Sequence, residues 1–458
     1  MCSGLIKKGG KITLKIEKLV YEGAGLGKID GFPVFVENTC PEDVVEAEIT
    51  AFNKNFARAK LIEIKESSPH RVKPFCPIHN ACGGCGWQFI DYDFQLEQKR
   101  NIVAETVKKL TGREIEVKPV IKSPQTREFR SKVQYPVAQT KVSKRLLAGY
   151  YKKGSHELIN VKFCPIQPNI IGKITNFTKE AAQELGITGY NEKTHKGELR
   201  HIVVRYSAAK NECLVIFAVN DTKLSEKFKK LAEKLKKEFA HIKGVCINYN
   251  TAKTNVILSN DTRCICGNKF YFEKIGEIEY KISANSFFQI NTGTAKNIFD
   301  TVKDIIEKNY SQSAVLDAYS GVSSFGVYLK DSAAEIVSVE ECKSASEDAL
   351  ENARLNNARN MEILNGDAKK IFENLINEGK TFDITLLDPP RKGCEKESLD
   401  FAAALTKKAI IYVSCNPATL ARDIKYLEEK GFRAKYIQPF DMFCHSYHIE
   451  SLCLLEKE

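Results

Sequence analysis

From about residue 286 to the C-terminus, short apolar runs alternate with helical segments, and this alternation limits the possible folds of that part of the chain. The runs are predicted to form strands, and a predicted helix such as 344–356 separates two of them; the runs cover 314–317, 335–340, 382–387 and 409–413. Strand–helix alternation is typical of a parallel sheet with helices on both faces and ligands at the carboxyl ends of its strands. We therefore predict a doubly wound, Rossmann-like α/β domain over residues 286–458.

The ends of three predicted strands carry side chains that suit a nucleoside cofactor. After Asp317 comes Gly321, where a missing side chain lets the backbone approach a ligand. Glu340 ends the next strand, where a carboxylate can hold a ribose diol, and Asp367 follows the third. The glycines do not form the G-x-G-x-x-G loop that binds a pyrophosphate, so S-adenosylmethionine fits better than a dinucleotide. A turn without any ligand is the alternative.

A cysteine and an aspartate end two further strands. The run from Ile411 stops at Cys415, and a predicted helix begins directly afterwards. A thiol at the positive end of a helix is expected to have a lowered pKa and to act as a nucleophile. Asp388 ends the preceding strand in the sequence Asp-Pro-Pro-Arg. Together they predict a site for covalent catalysis, although a lone cysteine in such a place is often structural.

Charge divides the chain into a basic and an acidic part. Residues 1–285 carry a net charge of +17, and residues 286–458 carry −6. A basic part joined to an acidic catalytic part favours a polyanion such as RNA as the partner, with a solvated lysine-rich surface as the alternative. There is no apolar run of the ~20 residues that a membrane span needs, and no apolar signal core. With fifteen cysteines, these features predict a cytoplasmic protein in a reducing compartment, without membrane or obligate protein partner.

Two smaller units are predicted before residue 286. Residues 1–68 contain several short alternating runs separated by glycine turns, which predicts a small, OB-like β-barrel. Such barrels often bind oligonucleotides, and a mere packing module is the alternative. Residues 69–285 read as mostly β, with a helix near 94–110 and lysine-rich helices near 170–186 and 222–239. A basic and aromatic run from Arg127 to Tyr135, with further cations up to Arg145, is a candidate RNA path.

A cysteine cluster lies early in the middle unit. It has the pattern C-x5-C-x2-C with a fourth cysteine some 80 residues later, and its members are Cys76, Cys82, Cys85 and Cys164. Four thiolates suit zinc or an iron–sulfur cluster, and the spacing alone does not choose between them. Four buried cysteines without a metal are the third interpretation. Cys264 and Cys266 form another close pair, which we interpret as strand residues.

The motifs around Asp388, Cys415 and the stretch from Asp441 to Glu450 together resemble the RNA (uracil-5-)-methyltransferase family. The resemblance covers nearly the whole chain, and residues 8–66 resemble a TRAM domain. It implies methyl transfer from S-adenosylmethionine to C5 of a uridine in RNA, by a thiol that adds to C6 and a base that removes the C5 proton. The TRAM-like domain and cysteine pattern favour 23S ribosomal RNA over transfer RNA. The pattern also favours a structural [4Fe–4S] cluster over zinc.

The family's residue roles carry over to matching positions of this chain. Cys415 matches the nucleophile, Glu450 the general base, and Asp388 a carboxylate near cofactor and base. The positions that match the cofactor site are Gln289, Tyr319, Ser324, Glu340, Asp367 and Asp388.

Three residues depart from the family pattern. Ser320 stands where many members have cysteine, Ser323 where many have glycine, and Cys444 where many have proline. We expect Ser323 to matter most, since its side chain could crowd the methionine part of the cofactor. The alternatives are another base methyltransferase or a non-catalytic RNA-binding protein on this scaffold. An amino methyltransferase normally has an aromatic residue at the position of Arg391, and a cytosine-5 enzyme has a second cysteine at that of Asp388.

Overall fold

The computed structural model describes residues 7–458, and its first unit is a closed five-stranded barrel. Every second residue of the first strand is buried, so the inner face fills the barrel and the outer face meets solvent. The strands follow the order 1-2-3-5-4 around the barrel. This confirms the predicted small barrel, whose strands are β1 Lys11–Leu19, β2 Gly25–Ile29, β3 Phe32–Val36, β4 Val44–Phe52 and β5 Ala57–Glu66.

A long helix and a short strand connect the barrel to the rest of the chain. Helix α1, Tyr92–Thr111, begins at the N-cap Asp91, whose carboxylate accepts a hydrogen bond from the backbone N–H of Phe94. Its C-terminal turn ends at Gly112, which has a φ of 76°. This confirms the helix expected near 94–110. Strand β6 comprises only Glu116–Val117.

The middle unit is a seven-stranded mixed sheet with helices on one side. Its strand order is 13-12-11-10-7-8-9, and strands 11 and 12 pair in parallel. Cys264 and Cys266 lie in β13, as predicted. The elements are β7 Lys132–Gln139, β8 Leu146–Tyr151, β9 Leu158–Asn160, α2 Asn169–Glu184, β10 Leu199–Ser207, β11 Glu212–Val219, α3 Glu226–Glu238, β12 Ile242–Tyr249 and β13 Thr262–Gly267.

A β-hairpin fuses the middle unit to the C-terminal one. Its strands are β14 Phe270–Ile275 and β15 Ile278–Ser283. Tyr280 of the hairpin shares one buried cluster with Leu214 of the middle sheet and Val315 of the C-terminal part. Because this core is continuous, the two units pack as one body.

The C-terminal unit is the predicted doubly wound sheet. Eight strands follow the order 18-17-16-19-20-22-21-6, and the central strands 16 to 20 pair in parallel. Short β6 pairs with β21, so residues before the predicted boundary at 286 complete this sheet. The elements are α4 Thr292–Asn309, β16 Ser313–Ala318, α5 Ser324–Tyr328, β17 Ala333–Glu340, α6 Lys343–Leu355, β18 Met361–Asn365, α7 Ala368–Asn377, β19 Phe382–Leu387, α8 Lys396–Leu405, β20 Thr406–Ser414, α9 Pro417–Glu428, β21 Phe432–Phe440 and β22 Glu450–Lys457. Over residues 7–458, no helix has the length and apolar content that a bilayer crossing requires.

Candidate active site

One cavity of 790 Å³ lies at the carboxyl ends of the parallel strands. It is the place where a doubly wound sheet binds its ligands, because the loops of adjacent strands separate there. The predicted residues that line it are Gln289, Tyr319, Glu340, Asp367, Asp388, Cys415 and Glu450. Of the predicted site residues in the C-terminal unit, only Ser324 is not in the lining.

One end of the cavity is built for a nucleoside. The Glu340 carboxylate accepts hydrogen bonds from the backbone N–H groups of Gly321 (2.8 Å) and Cys342 (2.7 Å). These two bonds fix the carboxylate at the carboxyl end of β17. Gly321 has a φ of 59°, and a Cβ atom there would meet nothing within 4 Å, so the backbone borders open space. An open glycine edge beside a fixed carboxylate fits the S-adenosylmethionine predicted from the strand ends.

The structure does not bear out the expected crowding by Ser323. Its side chain is completely buried, its hydroxyl lies 2.8 Å from that of Ser338, and Ser323 is not among the residues that line the cavity. Ser323 has a φ of 54°, the left-handed conformation in which glycine is most readily found. Ser324 begins α5, and its carbonyl accepts a hydrogen bond from the Tyr280 hydroxyl. The other two departures, Ser320 and Cys444, are also buried.

Strand register brings Cys415 and Glu450 together. Strands β20 and β22 are antiparallel, and Ser414 pairs with Ser451. The next position on each strand is Cys415 and Glu450, so nucleophile and base candidates lie side by side although 35 residues separate them in sequence. The Asn416 side chain caps α9 by accepting a hydrogen bond from the Ala418 N–H (3.0 Å), which fixes the turn behind Cys415.

The expected lowering of the Cys415 pKa is wrong for the site without ligands. Burial and, after it, the neighbouring Glu450 carboxylate raise the pKa of the Cys415 thiol to about 11, although Arg391 acts in the opposite direction. The thiol is half-buried at the bottom of the cavity, so loss of water outweighs the end of the helix. A free thiol is therefore the resting form.

Two carboxyl groups beside the thiol are also shifted. Burial raises the pKa of Asp388 to about 7. Burial and the neighbouring Asp388 raise the pKa of Glu450 well above its usual range, and Arg391 opposes this. Like charges in a dry site disfavour simultaneous ionisation, so an ionised Asp388 makes ionisation of Glu450 less favourable.

Arg391 lines the cavity, and its role was not predicted from the sequence. Its carbonyl accepts hydrogen bonds from Asn416 and Thr419 (both 3.4 Å), which ties the loop after Asp388 to the start of α9. Gly393 closes that loop at a φ of 73°, where a Cβ atom would come within 2.6 Å of Asp423. The only signal in the sequence was a cation three residues after a strand-ending aspartate.

The middle unit supplies the opposite wall of the cavity. Its Ser131 donates hydrogen bonds to the carbonyl of Ile290, and buried Arg205 donates to that of Ser286 (2.6 Å), so both hold the loop that carries Phe287 and Gln289. The Phe287 ring is 63% exposed beside Gln289. Three side chains of the predicted basic run also face the cavity, and they are Arg130, Lys132 and Gln134.

Lys132 is a half-buried lysine in this wall. Burial lowers its pKa well below the usual value, and the nearby Arg205 and Arg130 lower it further. An anionic group of a ligand beside these three side chains would favour the charged form of Lys132, so this part of the wall is suited to meet such a group. The candidate RNA path therefore reaches the active-site cavity at this point.

The four cysteines of the predicted cluster lie near one another but do not form a compact metal site. The pKa of Cys164 is raised to about 12, mainly by burial. The other three cysteines, Cys76, Cys82 and Cys85, are close enough to Cys164 to contribute to this rise. Among residues 7–458, however, no three histidine, cysteine or acidic side chains converge as ligands of one metal ion. All four remain free thiols without disulfides.

Comparisons with known proteins agree with this architecture. The family model described as tRNA (Uracil-5-)-methyltransferase matches residues 91–458, and that of the TRAM domain matches residues 7–62. The chain is 36% identical over 455 residues to an uncharacterized RNA methyltransferase of Oceanobacillus iheyensis, covering 98% of this chain and 97% of that one. It is also 36% identical to an uncharacterized RNA methyltransferase of Fusobacterium nucleatum, with coverage of 99% and 97%.

A solved structure shares the whole fold. It is the Pyrococcus abyssi tRNA (uracil-54, C5)-methyltransferase in complex with S-adenosyl-L-homocysteine, with a TM-score of 0.77 and 26% identity. The similarity covers 97% of this chain and all of that one. Since the family model covers most of the chain and ends at its last residue, this protein belongs to the tRNA (uracil-5-)-methyltransferase family and is an S-adenosylmethionine-dependent RNA methyltransferase.

Proposed function

We propose that the protein methylates C5 of a uridine in RNA through a covalent adduct between Cys415 and C6. The observation that carries this proposal is the convergence of Cys415, Glu450 and Asp388 on the cavity whose other end suits a nucleoside. Uracil C5 is a weak nucleophile, and a thiol beside it has a purpose only if it adds to the ring. This argues against a non-catalytic RNA-binding role.

The proposed reaction proceeds in balanced steps. Cys415 loses its proton to water, and its sulfur forms a bond to C6 while the electron pair of the C5–C6 double bond moves toward C5 and O4. S-adenosylmethionine, when bound, would supply the methyl group, whose bond to the sulfonium sulfur breaks as C5 accepts it, with S-adenosylhomocysteine as the leaving group. Glu450 then takes the proton from C5, the C5–C6 double bond forms again, and the bond between carbon and sulfur breaks to release the Cys415 thiolate.

The side chains around these atoms assist at defined places. Arg391 lowers the pKa of Cys415 and so favours the thiolate. Asp388 is assigned a place near cofactor and base, and its charge raises the pKa of Glu450 in addition to burial. Glu340 and Asp367 are placed to hold the nucleoside of the cofactor, with Tyr319 as a third lining side chain and Gln289 on the substrate side. Ser324, outside the lining, is assigned only a backbone role in shaping α5.

RNA that carries 5-fluorouridine at the target position tests the nucleophile. Fluorine cannot leave C5 as a proton does, so the wild-type protein should remain bound covalently after methyl transfer. Cys415→Ala should neither form this complex nor turn over normal RNA. Methylation at the wild-type rate by Cys415→Ala would disprove the mechanism.

Glu450→Gln tests the base, because it preserves size but cannot accept a proton. The variant should still add the thiol and receive the methyl group, and then stop. A methylated protein–RNA adduct should accumulate on unmodified uridine, visible on a denaturing gel, since loss of a general base costs about 10²–10⁴ in rate. Full activity would assign the proton to Asp388 instead. An inactive, folded variant without adduct would place Glu450 before methyl transfer.

The RNA class has two candidates. The barrel and the cysteine pattern favour 23S ribosomal RNA as the substrate. The Pyrococcus abyssi neighbour is named for uracil 54 of tRNA and matches this chain across its full length, which favours tRNA as the second candidate. Mass-spectrometric mapping of 5-methyluridine in both RNA classes from a deletion strain decides between them, because the site should be unmethylated in only one.

A [4Fe–4S] cluster at Cys76, Cys82, Cys85 and Cys164 is part of this proposal, with zinc as the alternative. A donor set of thiols alone, mutually close and next to the flexible pair Gly83–Gly84, has the chemistry that such clusters need. The cluster would be structural, since methyl transfer moves no electron. Protein purified without oxygen should be brown and contain iron and sulfide in comparable amounts, and Cys82→Ser should remove the colour. A colourless protein with stoichiometric zinc would refute the cluster.

A further inference from the structure

A second cavity, of 540 Å³, lies directly behind the active site. The chain segment 443–450 separates the two. Phe443 and Glu450 line the active-site cavity, whereas Tyr447 and His448 line the second one. A polymer whose one unit enters the active site would therefore meet the second cavity within a short distance along its length.

The shared wall is aromatic. The Tyr447 ring lies 4.2 Å from that of His448 and 6.2 Å from that of Tyr21, and the Phe443 ring lies 5.7 Å from His448. Burial, and after it Arg391, lowers the pKa of His448 to about 4, so its ring is neutral at pH 7. Neutral aromatic rings of this kind form stacking surfaces for nucleobases.

The barrel contributes to this wall through the turn between β1 and β2. Glu22 and Gly23 both have positive φ, 73° and 89°. The indole N–H of Trp87 donates to the Gly23 carbonyl (3.2 Å), and a Cβ atom on Gly23 would lie 2.9 Å from the Tyr447 ring. The turn is therefore held tightly against segment 443–450, and this contact fixes the position of Tyr21.

The opposite side of the second cavity is polar. It includes His79, Asn80, Asn38 and Lys153. Cys82 and Cys85 of the cysteine cluster line the same cavity, so a metal group held by them would border a ligand bound there. The Nδ1 atom of His79 is buried and has no hydrogen-bond partner. Since unpaired buried polar atoms are costly, this atom is suited to a ligand that brings a hydrogen-bonding edge. An aromatic face opposite polar groups matches a nucleobase, which offers a flat ring and a polar rim.

We propose that the second cavity binds an unpaired nucleotide that flanks the target uridine in the same RNA strand, stacked on Tyr447. This inference rests on the proposed function, because it needs the target base in the first cavity. It gives the barrel turn a direct part in positioning the substrate, beyond electrostatic attraction.

The test uses a stem-loop RNA with the mapped target uridine and 2-aminopurine at each flanking position in turn. The fluorescence of 2-aminopurine responds to stacking and needs no turnover, so it can be measured on the Cys415→Ala protein. One flanking position should change its fluorescence on binding. Adding Tyr447→Ala should abolish the change, and the matched Tyr447→Phe, which keeps the ring, should preserve it. Absence of a signal at every flanking position would overturn the proposal.

A kinetic test separates positioning from damage to the fold. An abasic residue at that flanking position should lower kcat/KM of the wild type about tenfold, in line with the loss of one stacked base. Tyr447→Ala should lower kcat/KM by a similar factor with normal RNA. With the abasic RNA, kcat/KM of Tyr447→Ala should be the same as that of the wild type. Ala24→Trp fills the same cavity from the barrel side without removing an aromatic ring, and it should behave like Tyr447→Ala. If, for both protein variants, the loss of kcat/KM caused by the substitution and the loss caused by the abasic residue multiply, the second cavity is not a nucleotide site.

Failure of the proposed function would look different. In that case the wild-type protein would methylate no uridine in either RNA class, and it would form no complex with 5-fluorouridine RNA. Normal methylation without any flanking-base effect would refute only the second cavity as a nucleotide site.

Discussion

The reactivity of Cys415 depends on opposing effects at the scale of single residues. Burial and Glu450 raise its pKa to about 11, and Arg391 lowers it. At pH 7 the protonated thiol is therefore the dominant form of Cys415. Such a thiol is protected from oxidation and alkylation until the site is filled.

Alkylation of Cys415 by iodoacetamide should reveal this balance. In the protein without ligands, the rate should rise about tenfold per pH unit and level off only near pH 11, because the thiolate is the reacting form. Arg391→Gln should slow the reaction at each pH, since it removes a charge that favours the thiolate. Glu450→Gln should accelerate it where Glu450 is ionised. Mass spectrometry of the Cys415 peptide separates it from the other fourteen cysteines. A plateau near pH 7 would contradict the pKa assignment.

A second residue-scale prediction concerns the glycine-to-serine departure in the cofactor loop. Ser323→Gly should leave the S-adenosylmethionine affinity within about twofold, because the Ser323 hydroxyl bonds to Ser338 and Ser323 does not line the cavity. Gly321→Val is the matched opposite case, since its new side chain would project into open space at the cavity and strain a backbone with positive φ. It should weaken binding at least tenfold by calorimetry. Tighter binding by Ser323→Gly would revive the crowding hypothesis.

At the scale of elements, a buried ion pair holds the segment before β22 in place. Lys99 of α1 lies 2.5 Å from Asp441, both side chains are fully buried, and the Tyr92 hydroxyl donates to the same carboxylate (2.7 Å). Helix α1 also packs along α9, which follows Cys415. The helix therefore fixes both chain segments that carry the nucleophile and the base.

Lys99→Met should destabilise the protein by about 3–5 kcal/mol, because it leaves the Asp441 charge buried without a partner. Lys122→Met is the control: Lys122 pairs with Asp93 at the surface, and its loss should change the free energy of unfolding by less than about 0.5 kcal/mol. Denaturant unfolding monitored by fluorescence of Trp87 measures both. Equal stability of the two variants would contradict the argument.

The pH dependence of that difference has a definite sign. Burial raises the pKa of Asp441, but Lys99 and the hydrogen bonds to the carboxylate outweigh burial and hold it below its usual value. A lowered pKa stabilises the fold above the unfolded-state pKa of about 3.9, and this contribution is lost as pH falls through the folded-state value. In Lys99→Met the carboxyl group can be neutral at mildly acidic pH. The stability gap between wild type and variant should thus narrow from pH 7 to pH 5.

At the scale of the whole molecule, the barrel is less separable than its sequence indicates. Leu19 and Cys40 of the barrel share a buried cluster with Trp87 and Ile102, and Arg71 binds barrel residue Asp43 (2.7 Å). Deleting residues 1–68 would expose this cluster, so the contribution of charge to RNA binding is better measured by substitution at the surface.

Replacing Lys141, Lys144 and Arg145 by glutamine should weaken RNA binding and its salt dependence. These three exposed cations lie in the turn between β7 and β8 of the basic part. Three lost phosphate contacts should reduce the slope of log K against log salt by about two, because each contact to single-stranded RNA contributes roughly 0.7. Binding of labelled RNA from 50 to 300 mM salt measures the slope. Lys407, Lys408 and Lys435 in the acidic part, replaced in the same way, should leave it unchanged, and equal slopes in both triple variants would contradict a dedicated RNA face.

The sequence alone determined much of the secondary structure and the strand-end positions of the site residues, because both depend on local patterns of residues. Alternation of apolar residues predicted the barrel and the doubly wound sheet, since the side-chain period of each element is fixed by its backbone. The strand-end positions of Cys415, Asp388 and Glu340 were predicted correctly, since the end of an apolar run marks the end of a strand. The four-cysteine cluster stays a prediction, as no metal geometry is formed by the described residues.

Only the tertiary structure decided how these local signals combine. The register of β20 against β22 places Glu450 beside Cys415, and packing across the sheet buries the thiol, so the pKa is raised although the end of the helix predicted the reverse. Residues 116–117 join the C-terminal sheet, and a barrel turn contacts the wall of the active site. The physical reason is range: backbone periodicity acts over a few residues and is written in the sequence, whereas desolvation and strand register depend on neighbours that only folding brings together.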